Sequence, residues 1–347
     1  MVRRILWGAL ALTPVVALAR FAFDVSDTTL FVLAAMALIP LAWLIGEATE
    51  HAGEHTGPGV AGFLNASFGN APELIIALLA VSNGLPEVVR GSLTGSIVSN
   101  ILLVLGFAIL VGPPAEIDRR SVMTQLGLVA FAVLLFLFPS IPGFHGDPNR
   151  HELAVVSLGV GIVLILVYAA MTYRNLRRHS RAHALSGHEP AAGGWSLLTS
   201  LAILGVATLA TAMVSEILVH SLEGFAHAAH LSEFFIATVI VAIVGNAAEH
   251  GGAVVIASRG KMKLATEIAV SSSAQVALLV AGAVAILSWL LTPLSLAFRP
   301  IELVTMGGAA ALVGLAAIDG RTKRWEGGVL IGLYVVVAGL YFVAGDR

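Results

Sequence analysis

Apolar residues run through this chain in long blocks separated by short polar joints. Eleven blocks approach the roughly 20 residues that a helix needs to cross a bilayer. They fall at about 5–23, 29–50, 58–82, 88–112, 121–139, 152–172, 196–219, 232–258, 264–292, 300–318 and 326–344. None alternates polar and apolar residues with the period of two of an outer-membrane strand. The pattern predicts an all-α polytopic membrane protein with 11 transmembrane helices. The longest polar joint, 173–195, holds Arg174, Arg177, Arg178, Arg181, His179, His183 and His188. It reads as a cytoplasmic connector, with a regulatory or metal-sensing role for its histidines as the alternative. On either side lie five blocks, in 29–172 and 196–347, preceded by an extra N-terminal helix in 1–28.

Composition agrees with that reading. Of 347 residues, 58% are hydrophobic and 12% charged, about half the ~25% charge of a soluble domain. Cysteine is absent, which excludes disulfides, thiolate metal sites and Cys nucleophiles. The expected surrounding is a lipid bilayer, with no nucleic-acid partner. With 11 spans, 14 of the 19 Lys and Arg residues fall on the side of the N-terminus and five, Arg20, Arg90, Arg150, Arg299 and Arg347, on the other. Positive charge concentrates inside, so the N-terminus is expected in the cytoplasm and the C-terminus outside, in a prokaryotic inner membrane. Arg3-Arg4, an apolar run and Ala17-Leu18-Ala19 also fit a cleavable signal peptide. Either way the orientation of the later spans is unchanged.

Polar residues inside the blocks carry the chemistry. Gly69-Asn70-Ala71-Pro72-Glu73 returns 176 residues later as Gly245-Asn246-Ala247-Ala248-Glu249. The same offset pairs Ser82 with Ser258, Gly84 with Gly260, Ser96 with Ser272 and Gly106 with Gly282, without gaps. An odd number of spans separates the equivalents, so the halves are predicted to be inverted, as in many secondary transporters. Ionisable residues at mid-membrane depth mark ion or proton pathways. Gly and Pro72 loosen the helical ladder there, Asn70 and Asn246 offer amide oxygens or caps, and Glu73 and Glu249 offer charge. The next span of each half adds Ser96 and Ser99, or Ser272 and Gln275, each pair on one helix face; tight packing is the alternative role for the serines. Two carboxylates among amide, hydroxyl and main-chain oxygens suit a hard divalent cation, above all Ca²⁺.

These residues carry a resemblance. Leu64-Asn65-Ala66-Ser67-Phe68-Gly69-Asn70-Ala71-Pro72-Glu73-Leu74, Ile243-Val244-Gly245-Asn246-Ala247-Ala248-Glu249-His250, the run Gly95 to Gly106 and Ser271-Ser272-Ser273-Ala274-Gln275 resemble the H⁺/Ca²⁺ exchangers of the calcium/cation antiporter superfamily. The likeness spans most of 29–344. Pro72 stands where a small or aliphatic residue is more usual, and the linker is basic where many relatives carry an acidic stretch. The resemblance implies a secondary transporter, not an enzyme, with Ca²⁺ and protons as cargo, no cofactor, and Glu73 and Glu249 alternately binding metal and protons between the repeats. Some relatives associate, so a homo-oligomer is conceivable. Desolvation favours the neutral form of a carboxyl, and metal binding requires its deprotonation, so exchange becomes obligatory. A Na⁺-coupled exchanger, or one for Mn²⁺, Na⁺ or K⁺, is the alternative.

Other titratable residues are candidates for tuning or gating. His250 adjoins Glu249, Glu47 and Glu50 end the second block, and Glu216 and Glu223 lie near the outer end of the seventh, with Glu47 and Glu223 related by the offset. His51-Ala52-Gly53-Glu54-His55 fits an H-x-x-E-H metalloprotease pattern. Gly53 and the following Thr56-Gly57-Pro58-Gly59 are expected to spoil the long helix that such ligands need.

Overall fold

In the computed structural model, residues 2–183 and 195–346 are described, apart from the side chains of 2, 57–63, 65, 66, 175–183 and 248. The linker histidines and arginines after Arg174 therefore lie outside the described side chains. Apolar helices dominate, and the described residues contain no β-strand beyond one isolated bridge, Glu116 to Arg321. In chain order they are α1 (Val2–Ala9), α2 (Leu12–Ala22), α3 (Asp27–Phe68), α4 (Ala71–Ser82), α5 (Pro86–Ser99), α6 (Leu105–Val111), α7 (Arg119–Gly143) and α8 (His151–His183). Then follow α9 (Leu197–Ala229), α10 (Glu233–Phe235), α11 (Ala242–Gly245), α12 (Ala247–Ser258), α13 (Met262–Gln275), α14 (Ala281–Leu287), α15 (Pro300–Ala316) and α16 (Arg324–Ala344). Wider π-helical turns at Asn100–Val104, Ile236–Val241 and Val276–Val280 join their neighbours into longer rods.

Among the described residues, nine helices are long and apolar enough to cross a membrane, or ten if the bent pair Glu233–Gly245 and Glu249–Ser258, meeting at 57°, is one span. This is a polytopic integral membrane protein. The second and third blocks differ from expectation. No break occurs between 50 and 58: α3 runs for 42 residues through Gly57-Pro58-Gly59, about 63 Å at 1.5 Å per residue. A proline deletes one donor, and in membrane helices neighbouring groups and local adjustment can re-satisfy the ladder, so Pro58 does not end the helix. The stretch expected to spoil the His51–His55 helix therefore does not. The third block instead breaks at Gly69-Asn70, leaving α4 as a 12-residue apolar helix.

Local structure repeats at the sequence offset. α4 and α12, α5 and α13, the π turns at Asn100 and Val276, and α6 and α14 begin and end at positions 176 apart. Asn70 (φ −99°, ψ 16°) and Asn246 (φ −90°, ψ 7°) share a conformation, as do the left-handed Gly84 (φ 72°) and Gly260 (φ 80°) that end α4 and α12. The halves also exchange contacts. A Cβ on Gly327 of α16 would lie 2.6 Å from the Gly106 carbonyl oxygen on α6, and one on Gly161 of α8 would lie 3.0 Å from that of Gly282 on α14. Lipid supplies little hydrophobic drive between helices, so bare backbone faces let them meet closely enough for dispersion to hold them. Two arginines counted from sequence among the five charges of the outer side are buried instead: Arg90 is inaccessible and Arg299 nearly so.

Candidate cation site

Each break in the ladder presents a carboxylate. Glu73 and Glu249 stand in the first turns of α4 and α12, where the partial positive charge of a helix start favours anions. The intervening Asn70 and Asn246 occupy the capping position, yet neither side chain caps its helix. Both amides reach across to the other half. Asn70 Nδ2 donates to Gln275 Oε1 at 2.7 Å, and Asn246 Nδ2 donates to Ser96 Oγ at 2.8 Å and to the Ala242 carbonyl at 2.9 Å. Ser273 Oγ adds a bond to the carbonyl of Ile97, its own repeat equivalent, at 3.2 Å.

Around Glu249 the network continues. Ser272 Oγ donates to Glu249 Oε2 and accepts from Asn100 Nδ2 at 3.0 Å. Asn100 Nδ2 also approaches Asn246 Oδ1 at 3.3 Å, and Asn100 Oδ1 lies 3.0 Å from His250 Nε2. His250 thus meets Glu249 through Asn100 and Ser272 rather than directly. Around Glu73 the surroundings are barer. Its side chain lies against Gly245, where a Cβ would sit 3.4 Å from Oε1, and its buried Oε2 has no hydrogen-bond partner among the described residues. A buried, unsatisfied oxygen calls for a ligand or a proton.

Glu73, Glu249, Asn70, Asn246, Ser96, Ser272 and Gln275 therefore converge. Ser99 is buried on the same helix, but its hydroxyl donates to the Ser96 carbonyl at 3.3 Å and, among the described residues, makes no bond across the halves. Asn100, equally central, was missed by sequence reasoning, because its repeat equivalent is Val276 and the repeat hides it. Its place directly after Ser99 was the available signal.

Two cavities flank the site. One of about 560 Å³ runs from Trp43, Glu47, Glu50 and Glu54 on α3 to Gly69, Gly245 and Glu249. The other, about 10 Å³, lies between Glu73, Ser92, Ser96 and Val241. Glu47 and Glu50 therefore line the larger cavity, and Glu47 pairs with Arg3 at 2.5 Å. Glu216 and Glu223 differ: both are exposed on α9 and line neither cavity. No group of three or more His, Asp or Glu is placed to hold a metal among the described residues. His51 Nδ1 meets Glu54 Oε2 at 3.2 Å and His55 Nε2 meets the Trp195 carbonyl at 2.6 Å, so the H-x-x-E-H residues are spent on local and helix-to-linker contacts.

Paired carboxylates at broken mid-bundle helices, tied across two repeated halves, define a membrane ion transporter and not an enzyme. The chain belongs to the sodium/calcium exchanger protein family, whose profile matches twice, over residues 26–177 and 199–343. It is similar to the Ca²⁺/H⁺ antiporter ChaA of Bacillus subtilis, 38% identical over 327 residues, covering 91% of this chain and 93% of that protein. It is similar too to the Ca²⁺/H⁺ antiporter of Aphanothece halophytica, 35% identical over 337 residues, covering 91% and 90%. Among solved structures, native YfkE superposes with a TM-score of 0.83 at 33% identity, covering 98% of this chain and 99% of that one.

Proposed function

We propose that the protein exports Ca²⁺ from the cytoplasm in exchange for protons, with Glu73 and Glu249 binding either cargo in turn. The observation that carries this reading is the pair of carboxylates on the two Gly-Asn breaks, one opening on the large cavity and one holding a buried oxygen without a hydrogen-bond partner among the described residues. Ca²⁺ takes oxygen ligands, commonly six to eight; the amides of Asn70, Asn246 and Gln275, the hydroxyls of Ser96 and Ser272, and main-chain oxygens at the breaks supplement the two Glu. A cation and protons compete for the same carboxylate oxygens, and an empty dianionic site is costly to carry through the membrane. The chain therefore moves when loaded with one or the other. The names of the two curated relatives support this cargo.

The finer architecture follows the same reading. The halves are inverted, with 11 crossings when the end of α3 joins α4 as the counterpart of the bent span 233–258. The N-terminus is cytoplasmic and the C-terminus external. The large cavity, bordered by Glu47 with its partner Arg3, is then the cytoplasmic mouth, and the site stands open to the cytoplasm. Ca²⁺ uptake into proteoliposomes under an imposed pH gradient tests the proposal. Transport should collapse in both Glu73→Gln and Glu249→Gln. Full activity in either, or uptake driven by Na⁺ but not by protons, would overturn it.

A further inference from the structure

Beyond the site, on the end of the bundle that carries the C-terminus, lies a buried ionic cluster that cation binding does not use. Glu87, at the start of α5, holds two arginines with its two oxygens: Arg90 Nη2 at 2.6 Å and Arg299 Nη2 at 2.7 Å. Arg90 also donates to Asn149 Oδ1 and to the Ser295 carbonyl, both at 3.0 Å. Arg299 donates to the Gly345 carbonyl at 2.6 Å and lies 4.2 Å over the Phe234 ring. Asp346 accepts from the backbone N–H groups of Glu233 and Phe234 at 3.3 and 2.9 Å. Glu302, wholly buried, accepts from Thr94 Oγ1 at 2.9 Å and from the Arg299 N–H at 2.7 Å.

The cluster bolts α5 of the first half to the 233–241 segment, α15 and the C-terminal tail of the second. Directly below it Gly91 and Gly95 let α5 pack closely against the 234–242 segment. A Cβ on Gly95 would overlap the Thr238 carbonyl oxygen and stand 2.7 Å from Ala242 Cβ; one on Gly91 would stand 3.0 Å from Ala237 Cβ. Below that contact is the small cavity of Glu73, Ser92, Ser96 and Val241. The repeat does not reproduce the bolt: Glu87, Arg90 and Arg299 correspond to Lys263, Thr266 and Met123. That unlike end is the one where the large cavity reaches Glu249.

We propose that Glu87, Arg90 and Arg299, with the Gly345–Asp346 tail, form the gate that seals the cation site on the C-terminal face, and that this latch must part for the site to face that side. Buried ion pairs add little net stability, but removing one partner strands the other charge. A latch of this kind sets the balance between two packings more than the stability of the fold. The inference rests on the alternating-access part of the antiport reading and not on the identity of the cargo.

The absence of cysteine makes the test clean. A single Ser92→Cys thiol in the small cavity is labelled in proteoliposomes with a membrane-impermeant maleimide applied from the C-terminal face. Alone it should react slowly. Adding Glu87→Gln should speed labelling by about tenfold, one decade per roughly 1.4 kcal/mol of latch free energy, and adding Asp346→Asn should speed it less. Parent-rate labelling in both folded proteins overturns the latch; if Glu87→Gln does not fold, the Asp346→Asn result decides alone. Labelling needs neither Ca²⁺ nor a pH gradient, so accelerated labelling in the variants, beside a parent protein that does not exchange Ca²⁺ for protons, would sink the assigned cargo and leave the latch standing.

Discussion

The bond from Asn246 to Ser96 ties one half of the protein to the other, and its strength can be measured. Asn246→Ala removes three contacts: Nδ2 to Ser96 Oγ at 2.8 Å, Nδ2 to the Ala242 carbonyl at 2.9 Å, and Oδ1 from Asn100 at 3.3 Å. All four residues are buried. Stranding buried partners costs about 1–3 kcal/mol, moderated here because Asn100 keeps Ser272 at 3.0 Å and Ser96 keeps a hydroxyl free to turn. Ser96→Ala should cost less, about 0.6 kcal/mol, the average of hydrogen bonds between membrane helices. In the double variant the shared bond is lost only once. The sum of the single losses should then exceed the double loss by roughly 0.6–1.7 kcal/mol. Reversible unfolding of the purified protein in detergent supplies the four free energies, and Ca²⁺ uptake supplies a parallel set of KM values. Additivity within about 0.3–0.5 kcal/mol, as for independent sites, would refute the claim that this bond joins the halves.

Other outcomes follow from the same geometry. Asn100→Leu should raise the KM for Ca²⁺ by about 5–150-fold, 1–3 kcal/mol, because Ser272, Asn246 and His250 lose a common partner; an unchanged KM would show Asn100 to be mere packing. Gly95→Ala should destabilise the fold by about 1–3 kcal/mol, read as a lower melting temperature in detergent, since its Cβ meets backbone rather than a movable side chain. Gly245→Ala should impair cation binding more than folding, as its Cβ lies 3.4 Å from Glu73 Oε1; isothermal titration with Ca²⁺ separates the two. His51→Ala with His55→Ala should retain exchange, because these rings serve Glu54 and the Trp195 carbonyl; complete loss would revive a chemical role for them.

Several features were legible in the sequence because they follow from local physics. The membrane class came from the length of the apolar blocks. The repeat came from Gly69 to Glu73 and Gly245 to Glu249, since a broken helix carrying a carboxylate needs the same few residue types in both copies. Ser272 and Gln275 followed from helical spacing. Four things were not legible. Whether Pro58 ends α3 depends on what surrounds the freed carbonyl, not on Pro58 itself. The Asn70 and Asn246 amides could cap their helices or cross to the other half, and only the neighbours decide. Asn100 has an apolar counterpart, so the repeat conceals it. Arg90 and Arg299 look like ordinary outer-side charges until Glu87, 212 residues from Arg299, is brought within 2.7 Å.

The sequence by itself determined the solvent, the duplicated motif and the two carboxylates, because hydropathy, helix breaking and charge burial are properties of short segments. Tertiary structure alone decided which amide meets which hydroxyl, which carboxylate opens on a cavity, and which end of the bundle is bolted shut. Those outcomes depend on contacts between the halves, often between residues more than a hundred positions apart, and no local pattern encodes them.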